Sequence, residues 1–199
     1  MALSKTEGSL TLGLRCLAVN ASWPRSAGRL ATSAPWLAVF TFLVLAQTAH
    51  LLEHVAQIVQ IHVLSLSGPD ARGIVGQLDI EWVHFIWNAA VVVALVALLV
   101  HDRSNRWLVF AASFASWHLV EHDFIMRTFL ATGIPGSPGL LASGGLISGG
   151  LPLSRPDLHF LYNLVETVAI VIAYLTQLRI ETRAPSFDTR HAIARPHAS

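Results

Sequence analysis

The sequence predicts an all-α membrane protein, a polytopic four-helix bundle built from two tandem helical-hairpin repeats. Three observations lead to this fold. Of 199 residues, 53% are hydrophobic and only 13% charged, and mean hydropathy is +0.55, a balance unsuited to a water-soluble globule. Four largely apolar windows, 36–64, 82–100, 107–130 and 158–178, each come close to the roughly 20 residues that cross a bilayer core. The polar residues inside those windows recur in the same order in the two halves of the chain.

Residues 1–34 mix Ser, Gly, Arg and short apolar pieces without a sustained period. They lack the charged, apolar and small-residue series of a cleaved signal, so a poorly ordered or surface-lying leader is expected. The transmembrane domain is expected over 35–179, with one repeat at 36–100 and the other at 107–178. Residues 180–199, polar and containing Pro185 and Pro196, read as a tail.

Basic residues set the expected orientation, because Lys and Arg beside spans are retained in the cytoplasm. Lys5, Arg15, Arg25 and Arg29 precede the first window, Arg103 and Arg106 lie between the second and third, and Arg179, Arg183, Arg190 and Arg195 follow the fourth. Both termini are therefore expected in the cytoplasm. The other two connections carry a lighter basic load, Arg72 in one and Arg155 in the other, with Arg127 at the end of the third window, and are expected outside. In the first of them, Gly68-Pro69-Asp70 marks a turn. The second, 131–156, is long and rich in Gly, Ser and Pro, and reads either as a cap over the outer mouth or as a flexible linker.

The repeat is the most informative feature. His50-Leu51-Leu52-Glu53-His54 in the first window matches His118-Leu119-Val120-Glu121-His122 in the third, and His84-Phe85-Ile86-Trp87-Asn88 matches His159-Phe160-Leu161-Tyr162-Asn163. On helices, His50, Glu53 and His54 share a face, as do His118, Glu121 and His122. His84 with Asn88, and His159 with Asn163, are also one turn apart. Lipid offers no hydrogen bonds, so these faces are expected to turn inward. At 1.5 Å per residue, His54 and His122 lie about 12 to 15 Å from the outer end and His84 and His159 about 2 to 3 Å, which places a shared site in the outer half of the bilayer. Glu166 falls near the level of Glu121 and His122, and Val91 occupies the matching place in the other repeat.

A carboxylate at mid-span costs on the order of 3 kcal/mol, so a compensating role is expected. Neutral imidazoles with glutamates suit iron, copper, zinc or manganese, and helical bundles build two-metal sites from such residues. His50, Glu53, His54, His84, His118, Glu121, His122 and His159 are the expected metal ligands. Asn88, Asn163 and Asp123 are expected to fix imidazole tautomers, and Glu166 to act as an extra ligand or proton acceptor. In plan the arrangement is similar to the ferritin-like di-iron carboxylate bundles, and in histidine content to the membrane desaturases and alkane hydroxylases. The order here is His-x-x-Glu-His, the ferritin-like motif runs Glu-x-x-His, and the desaturase boxes are not reproduced.

The leading expectation is thus a membrane oxidoreductase holding one or two iron or copper ions and acting on a lipid-soluble substrate or quinone. Haem ligation by paired histidines, a divalent-metal carrier or sensor, and a structural or proton-conducting network are the alternatives. The apolar runs 89–100 and 168–173 count against transport through the inner half. Cys16 is the only cysteine, which excludes an intrachain disulfide or thiolate cluster, and no basic stripe suggests nucleic acid. His62, Gln57 and Gln60 read as interfacial groups, and His101, His191 and His197 as solvated ones. Trp36, Trp82, Trp87, Trp107 and Tyr162 read as interface anchors, and Asp79, Glu81 and Asp157 as helix-start residues.

Overall fold

The computed structural model describes residues 34–67, 70–76 and 80–183, with backbone alone for 181–183. Most of the expected leader and tail, the Gly68-Pro69 turn and the Asp79 cap lie outside the described residues. Four helices and no strand are present among those described: α1 Ala34–His62, α2 Glu81–His101, α3 Arg106–Thr132 and α4 Arg155–Arg183. Helices α1 to α3 follow their hydropathy windows to within two residues at each end, and α4 extends three residues before and five beyond its window.

Successive helices run antiparallel, α2 and α3 through a short connection and the other two pairs through longer ones. α2 packs on α3, α3 on α4, α4 on α1, and α1 more sparingly on α2, while the backbones of the diagonal pairs stay apart. The turn between α2 and α3 is tight. Asn105 ends it as the α3 N-cap, its Oδ1 accepting from the Leu108 N–H at 3.2 Å, and α3 ends at Gly133 in the left-handed region.

α1, α2 and the Arg155–Ile180 part of α4 are long and apolar enough to cross a membrane. α3 has the length but not the hydropathy, because His118, Glu121, His122, Asp123 and Arg127 interrupt it. The expected count of four apolar spans is therefore three on composition. These polar groups of α3 do not share one environment: His118, Glu121 and His122 are buried, and Asp123 pairs with Arg127 on the outside at 2.7 Å.

One half of the bundle has a dry apolar core of Phe40, Leu43, Val91, Leu95, Leu98 and Leu108, with Ile170 and a run of alanines from α3 and α4. Ala111, Ala112, Ala115, Ala169 and Ala173 lack bulk, so the two backbones approach closely. Large apolar side chains such as Phe42, Leu45, Ile86 and Val93 point outward, as lipid-facing residues do. The other half, towards the 63–80 and 133–154 connections, holds the polar interior.

The 133–154 connection is a folded cap rather than a linker. Ser143 N–H bonds Leu153 O, Leu151 N–H bonds Leu141 O, and Leu146 and Ile147 N–H bond Gly139 and Leu140 O, at 2.7 to 3.1 Å. Its Ala142 is buried against Leu158 and Tyr162 of α4.

Candidate metal centre

Histidines at i and i+4 on α1 and α3 project from one helical face, and a third from the adjoining helix completes each group. His50, His54 and His84 form one triad and His118, His122 and His159 the other, with the ligand-capable atoms of each triad within 4.8 Å of one another. His50 is partly buried and the other five are buried.

The two triads form a single layer. The His84 and His122 rings stack at 5.7 Å between centroids, and His54 and His84 lie 6.4 and 6.5 Å from His159. All six histidines proposed from the sequence thus converge.

Ring orientation follows from what each Nδ1 touches. A carbonyl oxygen can only accept, so His84 Nδ1 donates to Ile80 O at 3.2 Å and His159 Nδ1 to Arg155 O at 3.0 Å. Both rings then carry their lone pair on Nε2. In the same way His118 Nδ1 faces the Glu166 carboxylate, Oε2 at 3.0 Å, with both side chains fully buried. The Nε2 atoms of His50 and His54 are 3.3 Å apart, and those of His118 and His122 are 3.2 Å apart. Two nitrogens about 2.0 to 2.1 Å from a tetrahedral ion would be separated by about 3.3 to 3.4 Å, so the His50–His54 pair matches an edge of such a coordination shell and the His118–His122 pair is slightly shorter. His159 Nε2, Glu121 Oε2 and Glu166 Oε1 are buried without a hydrogen-bond partner among the described residues, a costly condition that a cation relieves.

The glutamates of the two matched motifs turn elsewhere. Glu53 Oε1 accepts from the Val75 N–H at 2.8 Å, and Glu121 Oε1 accepts from the Leu140 N–H at 2.7 Å. Each carboxylate is pressed against a glycine in the left-handed region, Gly73 for Glu53 and Gly139 for Glu121, where a Cβ would collide with it. A loop amide thus takes one oxygen of each carboxylate, and neither glutamate joins a triad.

Asn88 and Asn163 also differ from expectation. Their amides donate to the carbonyls of His84 and His159, at 2.8 and 2.9 Å, and so secure the helical turn beneath each ring rather than the ring itself. Asp123, expected near an imidazole, is turned outward to Arg127.

Gln47, which the sequence reading does not single out, and several residues read as peripheral belong to the interior. Gln47 is fully buried, donates to Asn163 Oδ1 at 3.1 Å and accepts from Trp87 Nε1 at 3.0 Å, which ties α1 to α4 and α2. Its signal was present in the spacing, since 47, 50 and 54 lie on one helical face. Trp87 packs against His50 and Tyr162 against His118, so neither is an interface anchor; Tyr162 accepts from Trp117 Nε1 at 3.2 Å. Their nearness to helix ends suggested the membrane surface, but the array itself lies near that end. His101, expected to be solvated, stacks on Trp36.

The mouth is closed by side chains that read as interfacial groups or caps. Gln57 Nε2 donates to Ala71 O at 3.0 Å, and Gln60 clasps the Gly73 peptide, donating to its oxygen and accepting from its nitrogen at 2.8 Å each. Glu81 caps nothing. It takes Arg155 in a two-pronged ion pair at 2.6 and 2.7 Å and accepts from the Gly136 N–H at 3.1 Å. Asp157 meets His62 at 2.7 Å and accepts from Ser154 Oγ at 2.6 Å.

Set against known protein families, curated proteins and solved structures, the chain matches none.

Proposed function

We propose that the chain is a membrane-embedded, metal-dependent oxidoreductase with two metal ions, each held by one histidine triad, acting on a lipid-soluble substrate or a quinone. The observation that carries this reading is the convergence of six imidazoles, in two groups with ligating atoms within 4.8 Å, inside an apolar bundle. An unoccupied cluster of that kind carries a cost, because His159 Nε2 is buried without a donor and the two close Nε2 pairs are each held by a single shared proton.

Donor chemistry favours copper, with iron second. Imidazole suits copper, iron and zinc, whereas carboxylate-rich sets favour harder ions, and the motif glutamates are engaged by the loops. A copper or iron ion supplies electron transfer when bound. The chain's own part is to fix the tautomers through Ile80 O, Arg155 O and Glu166, and to exclude water. Haem fits less well, since the imidazoles of the array crowd one another at 4.8 to 6.5 Å between ring centroids. Metal transport fits less well too, since the half beyond the array is packed with Phe40, Leu95, Leu98, Leu108 and Ile170.

The same reading makes α3 the fourth membrane span. It packs between α2 and α4, and its buried polar groups face the array. We take the chain as a duplicated hairpin, with the array in the outer half of the cell membrane and both termini cytoplasmic, as the basic residues indicate. Paired contacts support the duplication: His84 with Ile80 and His159 with Arg155, Asn88 with His84 and Asn163 with His159, Glu53 and Glu121 each with a loop amide beside a glycine.

The test is metal analysis and an optical spectrum of the full chain purified in mild detergent, followed by assay of electron exchange with a short-chain quinone. Close to two copper or iron ions per chain and quinone turnover are expected. A Soret band, loosely held zinc alone, or a chain that takes up no metal would each overturn the reading.

A further inference from the structure

Resting on the metal-centre reading, we infer that the two triads are unequal in affinity: the site of His118, His122 and His159 fills first, and that of His50, His54 and His84 second, because Glu166 braces only one of them. Glu166 Oε2 lies 3.0 Å from His118 Nδ1, and both side chains are fully buried. A carboxylate behind a ligating imidazole fixes its tautomer, aims Nε2 and raises its basicity, and removing such a partner typically costs about 10- to 100-fold in metal affinity. In the other hairpin the corresponding residue is Val91, a buried apolar side chain that can do none of this for His50.

Burial and charge point the same way. His118, His122 and His159 are all buried, whereas His50 is only partly so. The α3–α4 side also holds two fully buried carboxylates, Glu121 and Glu166, each with one oxygen lacking a hydrogen-bond partner among the described residues. The ion pairs among those residues give neither glutamate an arginine or lysine. A divalent cation in this triad supplies the opposing charge, and buried ions gain most from such pairing. Around the α1–α2 triad the nearest matching glutamate, Glu53, is only half-buried and reaches a loop amide. Glu166 is thus a positioning residue that makes one site the high-affinity one.

The experiment is calorimetric titration of the metal-free full chain, in detergent, with zinc ion as the probe. Two steps separated by about tenfold or more are expected. Glu166→Gln keeps size and an acceptor oxygen but removes the charge; it should weaken the tight step about 10- to 100-fold and leave the weak step in place. His84→Gln should delete only the weak step and His159→Gln only the tight one. Val91→Glu, the converse change, should narrow the gap. Two indistinguishable steps in the wild type, or an E166Q variant that binds as the wild type does or loses affinity in the weak step, would overturn the inference while leaving the metal centre standing. A wild-type chain that binds no zinc, copper or iron would remove both.

Discussion

The Leu140 amide lies 2.7 Å from Glu121 Oε1, and Gly139 beside it is so close to the same carboxylate that a Cβ has no room. One buried side chain of α3 therefore holds the first turn of the 133–154 cap, immediately beside His118 and His122. The relationship gives Glu121 Oε1 a structural partner in the cap. A carboxylate accepting backbone N–H bonds is a latch, and its removal loosens the cap first.

Glu121→Gln should therefore leave the metal content of the purified protein near wild type while opening the cap. A hydrogen bond to a charged group is worth about 1.5 to 3 kcal/mol, so cleavage within 133–154 by added protease should become faster by about tenfold or more. The comparison is limited proteolysis beside metal analysis on one preparation. Loss of a metal ion with an unchanged cleavage rate would make Glu121 a ligand instead.

Gly139 gives an independent check on the same latch. Its φ of +75° lies in the left-handed region, and the Glu121 carboxylate fills the space a methyl group would need. Gly139→Ala should lower stability by about 1 to 3 kcal/mol, read as a fall in thermal midpoint in detergent. Gly73→Ala, at φ +77° against Glu53, should cost less, because Glu53 is half-buried and has room to swing away. A Gly139→Ala variant as stable as the wild type would contradict the close approach.

The latch also shows what sequence could and could not reveal. Helix positions were legible because apolar windows and bilayer thickness impose one length, and the six histidines were legible because i, i+4 spacing fixes a face before any packing is known. The glutamates shared that face by the same rule, yet their partners are backbone amides of loops that leave no compositional trace beyond two glycines. Trp87 and Tyr162 were misplaced for a related reason. Nearness to a helix end implies the membrane surface only when nothing polar is buried there, and here the histidine array occupies that depth. α3 falls short of a span on hydropathy, and three of the residues that lower it, His118, Glu121 and His122, are buried inside the bundle.

Glu81 and Arg155 join the starts of α2 and α4 across the mouth, with the Glu81 side chain only 6% exposed. Arg155→Ala leaves that carboxylate buried without its cation and should cost about 3 to 5 kcal/mol. Arg155→Lys should recover only part of this, because a single ammonium cannot reproduce the two-pronged contact at 2.6 and 2.7 Å. Replacing both residues by leucine should restore most of the loss. Equal unfolding midpoints for the alanine variant and the wild type would show that the pair is solvated.

At the opposite end, Asn105 holds two helices with one amide. Its Oδ1 caps α3 through the Leu108 N–H, and its Nδ2 donates to the Ala173 carbonyl of α4 at 2.7 Å, with the residue only 1% exposed. Removing a cap alone costs about 1 kcal/mol, and losing the extra side-chain bond to the Ala173 carbonyl, which keeps its own helical bond, adds about 0.5 to 1.5 kcal/mol. Asn105→Ala should therefore lower stability by more than loss of a surface cap would. Asn105→Asp separates the two roles: it keeps the capping oxygen but sets a second acceptor against Ala173 O, so it should be at least as damaging as alanine although aspartate is a good N-cap. If the aspartate variant unfolds at the wild-type temperature, the tie to α4 carries no weight and Asn105 acts as a cap alone.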